Sequence, residues 1–130
     1  MKKVSAIICA YNEEKTIKEV ILSVSEALIV SEIVIVNDGS TDNTKKIIEA
    51  LKEKIEITII HLEENKGKGY AMAIGVENAT GEIIVFIDAD LSNLKEEHFE
   101  QLITPVFSNE ADMVLGQPTE TLINYKINPF

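Results

Sequence analysis

Four short apolar runs, each ending in polar turn residues and followed by a stretch of helical periodicity, constrain this chain more than any other feature. The runs are Val4 to Ala10, Ile33 to Asn37, Ile55 to Leu62 (with some alternation) and Glu82 to Ile87. Runs of this length and character suit strands buried in a parallel sheet. Between the first two, Glu13 to Leu28 carries Ile17, Val20, Ile21, Val24 and Leu28 at i, i+3, i+4 spacing, the stripe of an amphipathic helix. Asp38-Gly39-Ser40-Thr41-Asp42 is turn chemistry, with Thr41 or Asp42 capping a helix that runs to about Lys54. Gly67-Lys68-Gly69 precedes a helix from Tyr70 to Ala79, which Gly81 ends, and Lys95 to about Phe107 forms the next. Met113 to Leu115 reads as a short fifth strand, and no clear periodicity follows Gly116.

Repeated strand–helix units imply an α/β protein with a mostly parallel sheet wrapped by helices. In such sheets ligands bind beyond the carboxyl ends of the strands, where the strand order reverses. If the order is 3-2-1-4, the polar residues after strand one (Asn12, Glu13), strand two (Asp38) and strand four (Asp88, Asp90) converge on one crevice. The bland alternative is that such loops are polar simply because they are solvated.

The 130 residues suffice for one domain with a real core. A formal net charge of −10 argues against nucleic-acid backbones and anionic membrane surfaces as partners. The single cysteine, Cys9, lies in an apolar run and is expected to be a buried, reduced thiol. No run is long and apolar enough to span a membrane, and the start lacks a signal-peptide pattern, so a cytoplasmic location is expected.

Asp88-Ala89-Asp90 closes the fourth strand and carries the strongest chemical signal. Two carboxylates ending a buried strand resist desolvation and repel one another unless a cation lies between them and an anionic ligand. Oxygen ligands of this kind suit Mg²⁺ or Mn²⁺ with substrate phosphates. Three readings compete. Asp90 could cap a following helix. An EF-hand loop counted from Asp88 fails, because Asn93 and Phe99 stand where Gly and Glu are required. A haloacid-dehalogenase-like phosphatase fits Asp88 to Ser92 loosely, but such enzymes carry the motif near the start of the chain.

The remaining loops are less specific singly. Ala10 followed by Tyr11 could form a slot for a flat base, and Asn12 could be no more than a helix N-cap. Asp38 either bonds to its own turn backbone or accepts a hydrogen bond from the imide N–H of a base. Lys66 and Lys68 either meet a diphosphate near a helix N-terminus or are solvated loop lysines. Gly67-x-Gly69 is half of a dinucleotide fingerprint, but Met72 occupies the third glycine's place. His61 and His98 read as structural or exposed.

Taken in order, Ala10-Tyr11-Asn12-Glu13-Glu14, Val36-Asn37-Asp38-Gly39-Ser40-Thr41-Asp42, Gly67-Lys68-Gly69 and Asp88-Ala89-Asp90-Leu91 resemble glycosyltransferase family 2. The resemblance implies a GT-A fold that binds a UDP- or GDP-sugar. It places Ala10, Tyr11 and Glu13 at the base and ribose, Asp38 at the base, and Lys68 near the ribose or diphosphate. Asp88 would contact ribose or metal, and Asp90 would coordinate Mg²⁺ or Mn²⁺. Asp88 to Ser92 is similar to polyprenyl-phosphate (dolichol-phosphate) sugar synthases. Asp90 to Phe99, with Thr104-Pro105-Val106-Phe107, is similar to glucosyl-3-phosphoglycerate synthases, so a phosphorylated or lipid-phosphate acceptor is implied and the stereochemistry stays open.

Family catalytic domains continue well past Asp-x-Asp into an acceptor-binding half. Residues 1–116 are therefore expected to form the nucleotide-sugar-binding domain, and 117–130 the start of a truncated acceptor region. Glu120 is the only acidic residue beyond Gly116, and no catalytic base is assigned. Two functions are carried forward besides the phosphatase: a hexosyltransferase or its donor-binding part, and a non-catalytic nucleotide-binding or assembly module. A homo-oligomer is expected, because a core lacking its second half would expose apolar surface.

Overall fold

The first two runs are almost wholly apolar because they lie at the centre of a sheet; their polar members, Ser5 and Asn37, are buried and hydrogen-bonded. In the computed structural model, which describes residues 2–91, 95–107, 113–116 and 122–125, β1 (Val4–Ala10) and β2 (Glu32–Asp38) are the inner strands. The outer two are β3 (Thr58–Leu62) and β4 (Ile83–Asp88), giving a parallel sheet in the order β3-β2-β1-β4. Val4, Ala6, Ile8 and Ala10 point to one face of β1, where they join Ile33, Ile35, Val85 and Ile87 in the main core. That face is covered by α1 (Ile17–Glu26) and α2 (Thr44–Lys52), through Ile17, Val20, Ile21, Val24, Ile48 and Leu51. Phe99 and Ile103 of α4 (Glu96–Phe107) complete it.

The opposite face receives α3 (Lys68–Asn78). Gly75 lets this helix lie close to the sheet: a Cβ there would stand 2.5 Å from Ile7 Cγ2. Among the described residues β4 is covered more fully on one side, so Ile83, Val85 and Ile87 are buried, Ile84 is half-buried and Phe86 is 38 % exposed.

Several element boundaries differ from the sequence reading. The first helix begins at Ile17 rather than Glu13; a turn precedes it, in which Glu13 O accepts Thr16 N–H (3.1 Å) as well as the first helical bond from Ile17 N–H (2.9 Å). Leu28 lies beyond its end and is 93 % exposed, so it does not belong to the buried stripe. Asp42 does satisfy the start of α2, accepting Thr44 N–H at 2.9 Å and the Thr44 hydroxyl at 2.6 Å. Ile55 and Ile57 pack against the core from the connection before β3 rather than from the strand. Beyond Gly116 a strand does form: β6 (Leu122–Tyr125) pairs antiparallel with β5 (Met113–Gly116). Among the described residues, no helix is long and apolar enough to cross a membrane.

Candidate functional site

Parallel registration brings the strand ends level. Cys9 pairs with Asp88, Ala10 with Asn37, and Asp38 with Leu62. The chain steps outward from β1 to β3 and then returns to the other side of β1, so the reversal of order lies between β1 and β4. A cleft of about 430 Å³ opens there. Seven residues assigned to nucleotide or metal from the sequence line it, namely Ala10, Tyr11, Glu13, Asp38, Lys68, Asp88 and Asp90, whereas Asn12, also expected at the crevice, does not. Asn65 lines it too, although nothing in the sequence marked this residue.

The loops after β1 and β2 are strapped together. Asn12 adopts φ +53, a left-handed conformation that Asn tolerates better than most residues. Its Oδ1 accepts N–H bonds from Thr41 (2.8 Å) and Asp42 (3.3 Å), and its own N–H donates to Ser40 Oγ at 2.9 Å. Glu13 N–H donates to Thr44 Oγ1 (3.0 Å), and Asn43 N–H to Glu14 Oε2 (3.1 Å). Asn12 is therefore not the N-cap of α1, which Thr16 occupies, but the tie between two motif loops. Ala10 is buried at the base of the cleft, and Tyr11 is half-exposed at its edge.

Asp38 is 3 % exposed, and its carboxylate is engaged by the loop before α3 rather than by its own turn. Oδ1 accepts Lys66 N–H at 2.7 Å; Oδ2 accepts Gly67 N–H at 3.0 Å and Asn65 Nδ2–H at 3.1 Å. Gly39 makes this seat possible. At φ +69, a Cβ on it would stand 2.3 Å from Asn65 N.

Opposite lies an acidic group. Asp88 Oδ1 accepts a bond from Lys68 Nζ at 2.6 Å, which raises the Lys68 pKa, with burial opposing. Burial raises the pKa of Glu13, and the nearby Asp90, Asp42 and Asp88 add to it while a bond from Thr16 opposes. Cys9, expected to be buried, is only half-buried because it lines the cleft, and this partial burial pushes its thiol up to about 11. Thr16 Oγ1–H donates to Ala89 O at 2.8 Å, fixing the end of β4 against the entry to α1. Asp90 does not cap α4, which begins only at Glu96. No described partner holds its carboxylate, which is exposed at the cleft.

This donor set fits Mg²⁺ or Mn²⁺. Asp88 and Asp90 would supply two hard oxygen ligands, and among the described residues no cluster of three or more His, Cys, Asp or Glu forms a closed protein cage. Such cations take one or two carboxylates and complete their shell with phosphate and water.

Lys66 and Lys68 have different places. Lys66 Nζ pairs with Glu64 at 2.7 Å and lies outside the cleft, whereas Lys68 points across it. His61 is structural: its Nδ1 accepts from Asn37 Nδ2 (3.0 Å), so Nε2 carries the proton that bonds Glu49 Oε1 (2.7 Å). His98 Nδ1 accepts Lys95 N–H at the start of α4. Ser92, Glu120 and the other residues of 117–121 and 126–130 lie outside the described residues.

The sequence profile described as "Glycosyl transferase family 2" matches residues 5–128. The chain belongs to glycosyl transferase family 2. Its fold is the GT-A nucleotide-diphospho-sugar transferase fold, with the expected 3-2-1-4 order. It is 38 % identical over 88 residues to the poly-beta-1,6-N-acetyl-D-glucosamine synthase of Staphylococcus epidermidis, covering 67 % of this chain and 21 % of that protein. Glucosyl-3-phosphoglycerate synthase from Mycobacterium tuberculosis, crystallised with Mn²⁺, UDP and phosphoglyceric acid, superposes with a TM-score of 0.70 at 31 % identity. That match covers 81 % of this chain and 39 % of the mycobacterial one. The mannosyltransferase PcManGT from Pyrobaculum calidifontis, in complex with GDP-Man and Mn²⁺, gives a TM-score of 0.74 at 27 % identity, over 81 % of this chain and 32 % of the other. The family 2 chain therefore spans about a fifth of the length of its staphylococcal relative. The phosphatase alternative gives way to the family match, and the Asp-x-Asp motif stands on the fourth strand rather than near the start.

Proposed function

We propose that the cleft binds a UDP- or GDP-sugar through Mg²⁺ or Mn²⁺ held by Asp88 and Asp90. In this reading the chain is the donor-binding part of a hexosyltransferase acting on a phosphorylated or lipid-phosphate acceptor. The observation that carries it is the meeting of Asp88, Asp90 and Lys68 at the β1–β4 reversal, where two carboxylates and one ammonium face a single cleft. The Mn²⁺ complexes of the mycobacterial and archaeal enzymes support the metal, and the phosphoglyceric acid bound to the former supports a phosphorylated acceptor. When bound, the cation supplies Lewis-acid neutralisation of the departing nucleoside diphosphate.

The chain's own residues bind and orient. Ala10 and Tyr11 flank the base and ribose, Glu13 lies at the ribose side, Asp38 meets the base, and Lys68 reaches the diphosphate. A net charge of −10 makes nucleic acid an unsuitable partner and leaves Lys68 and the cation to offset the donor's charge. Residues 1–116 serve as the donor domain, 117–130 begin a further region, and the protein works in the cytoplasm. A second reading, donor binding without transfer, is favoured by one fact: among the described residues, none after Asp90 lines the cleft.

Calorimetry with UDP and GDP, in Mn²⁺ and in chelator, tests the metal. Affinity is expected to rise strongly with Mn²⁺, and Asp90→Ala to abolish that rise without unfolding the chain. Equal affinity in both conditions would remove the metal from the site. Donor hydrolysis and mass spectrometry of products, measured alongside binding, separate transfer from binding alone.

A further inference from the structure

We infer that Asp38 controls the diphosphate end of the cleft through Lys68, as a positioning residue, with Asn65 sharing the task. The inference rests on the cleft taking a nucleoside diphosphate, as proposed above.

Asp38 ends an inner strand and is 3 % exposed, so its carboxyl oxygens must be matched by donors. The donors come from Asn65, Lys66 and Gly67, the three residues immediately before α3. Asn65 Nδ2 also donates to Asp38 O at 3.2 Å, so its amide clasps the end of β2 at two points. Gly67, the last of the three, enters the helix at φ +99 and ψ 157. Anchoring its N–H and that of Lys66 to the rigid sheet sets the direction in which Lys68 departs. Lys68 is the first residue of α3, and its Nζ reaches Asp88 at 2.6 Å. The chain of contacts thus runs from β2, through the loop, to β4 on the far side of β1.

A carboxylate offers about four acceptor positions. Three on Asp38 are used by the loop, one on Oδ1 and two on Oδ2. A single position on Oδ1 remains, enough for one N–H of a base. Most of the hydrogen bonding at Asp38 therefore serves the placement of Lys68, and a ligand with no base should still sense its loss.

The test is calorimetry on the whole chain with Mn²⁺–pyrophosphate, which has no base, beside Mn²⁺–UDP. Asp38→Asn replaces one acceptor oxygen by a donor, so at least one loop N–H faces an NH₂ group. Affinity for Mn²⁺–pyrophosphate is expected to fall about tenfold, in the range for a lost hydrogen bond to a charged group. Lys68→Met should cause a comparable fall, and adding Asp38→Asn to it should cost less than about twofold more, because residues acting through one contact are not additive. Asn65→Ala should weaken pyrophosphate by about threefold with the same dependence on Lys68, and serves as the test if Asp38→Asn does not fold. Loss of UDP affinity with pyrophosphate unchanged would show that Asp38 reads the base alone, and additive losses would show that it does not act through Lys68. Either result overturns the inference while leaving the nucleotide site intact. A wild-type chain that binds neither ligand would overturn both.

Discussion

Replacing Gly39 by Ala should be among the most damaging single-methyl changes in the molecule. The added Cβ would stand 2.3 Å from both Asn65 N and Glu64 C and 2.8 Å from Glu64 Cα, where an ordinary contact begins at 3.4 Å. These are backbone atoms and cannot rotate aside, so the 64–65 segment must retreat by about 1 Å. Such a retreat opens the bonds from Lys66 N–H (2.7 Å) and Gly67 N–H (3.0 Å) to Asp38. A left-handed Ala costs roughly 1 kcal/mol. Each hydrogen bond to a buried carboxylate contributes about 1.5–3 kcal/mol, part of which water restores once the loop opens. The expected loss is therefore about 3–5 kcal/mol, a large fraction of a small domain's stability. Gly67→Ala is the control. Its φ of +99 strains any side chain, but no atom lies within 4 Å of the added Cβ, so the cost is conformational only, about 1–3 kcal/mol. Urea unfolding of both variants at matched slope measures the difference. If Gly39→Ala stays within about 0.5 kcal/mol of wild type, or is milder than Gly67→Ala, the docking of the loop on the Asp38–Gly39 turn is wrongly described.

Cys9, with its thiol raised to about 11 by burial while Lys68 opposes and Asp38 and Asp88 assist, should react slowly with iodoacetamide at pH 8, and more slowly still in Lys68→Met; rapid labelling in either protein would contradict this environment. Burial alone would raise the Glu32 pKa, but bonds from the Ser5 hydroxyl, Thr80 N–H and the Thr80 hydroxyl outweigh it and hold the carboxyl below its ordinary 4.5. Its stabilising effect should be complete above that value and lost as pH falls through the lower folded-state pKa, so Glu32→Gln should narrow the stability difference between neutral and acid pH; a mutational effect independent of pH would refute the linkage. Phe86 and Val76 are 38 % and 45 % exposed, and the chain is expected to self-associate through apolar surface of this kind; light scattering that finds a monomer at high concentration would end that expectation.

Much of the architecture was legible because it is encoded between near neighbours. The nearly unbroken apolar runs in β1 and β2 mark strands buried on both faces, and the stripe Ile17, Val20, Ile21, Val24 repeats at the period of its own helix; neither needs knowledge of the rest of the chain. Once the alternation implied a parallel sheet, the strand order carried Asp38, Asp88 and Asp90 to the same end, and the cleft contains them. What stayed hidden depends on pairs far apart along the chain. Asn65 is a polar loop residue like many others until Asp38, 27 positions earlier, meets its amide. Asn12 passes for a helix cap until Thr41, 29 positions on, donates to it. Lys66 and Lys68 are equivalent as charges in a loop, and only the left-handed entry at Gly67 sends one to Glu64 and the other to Asp88. Periodicity sorts residues by face, because burial rewards a repeating pattern. Which donor meets which acceptor is decided by strand registration and loop docking, and those exist only after the sheet has formed.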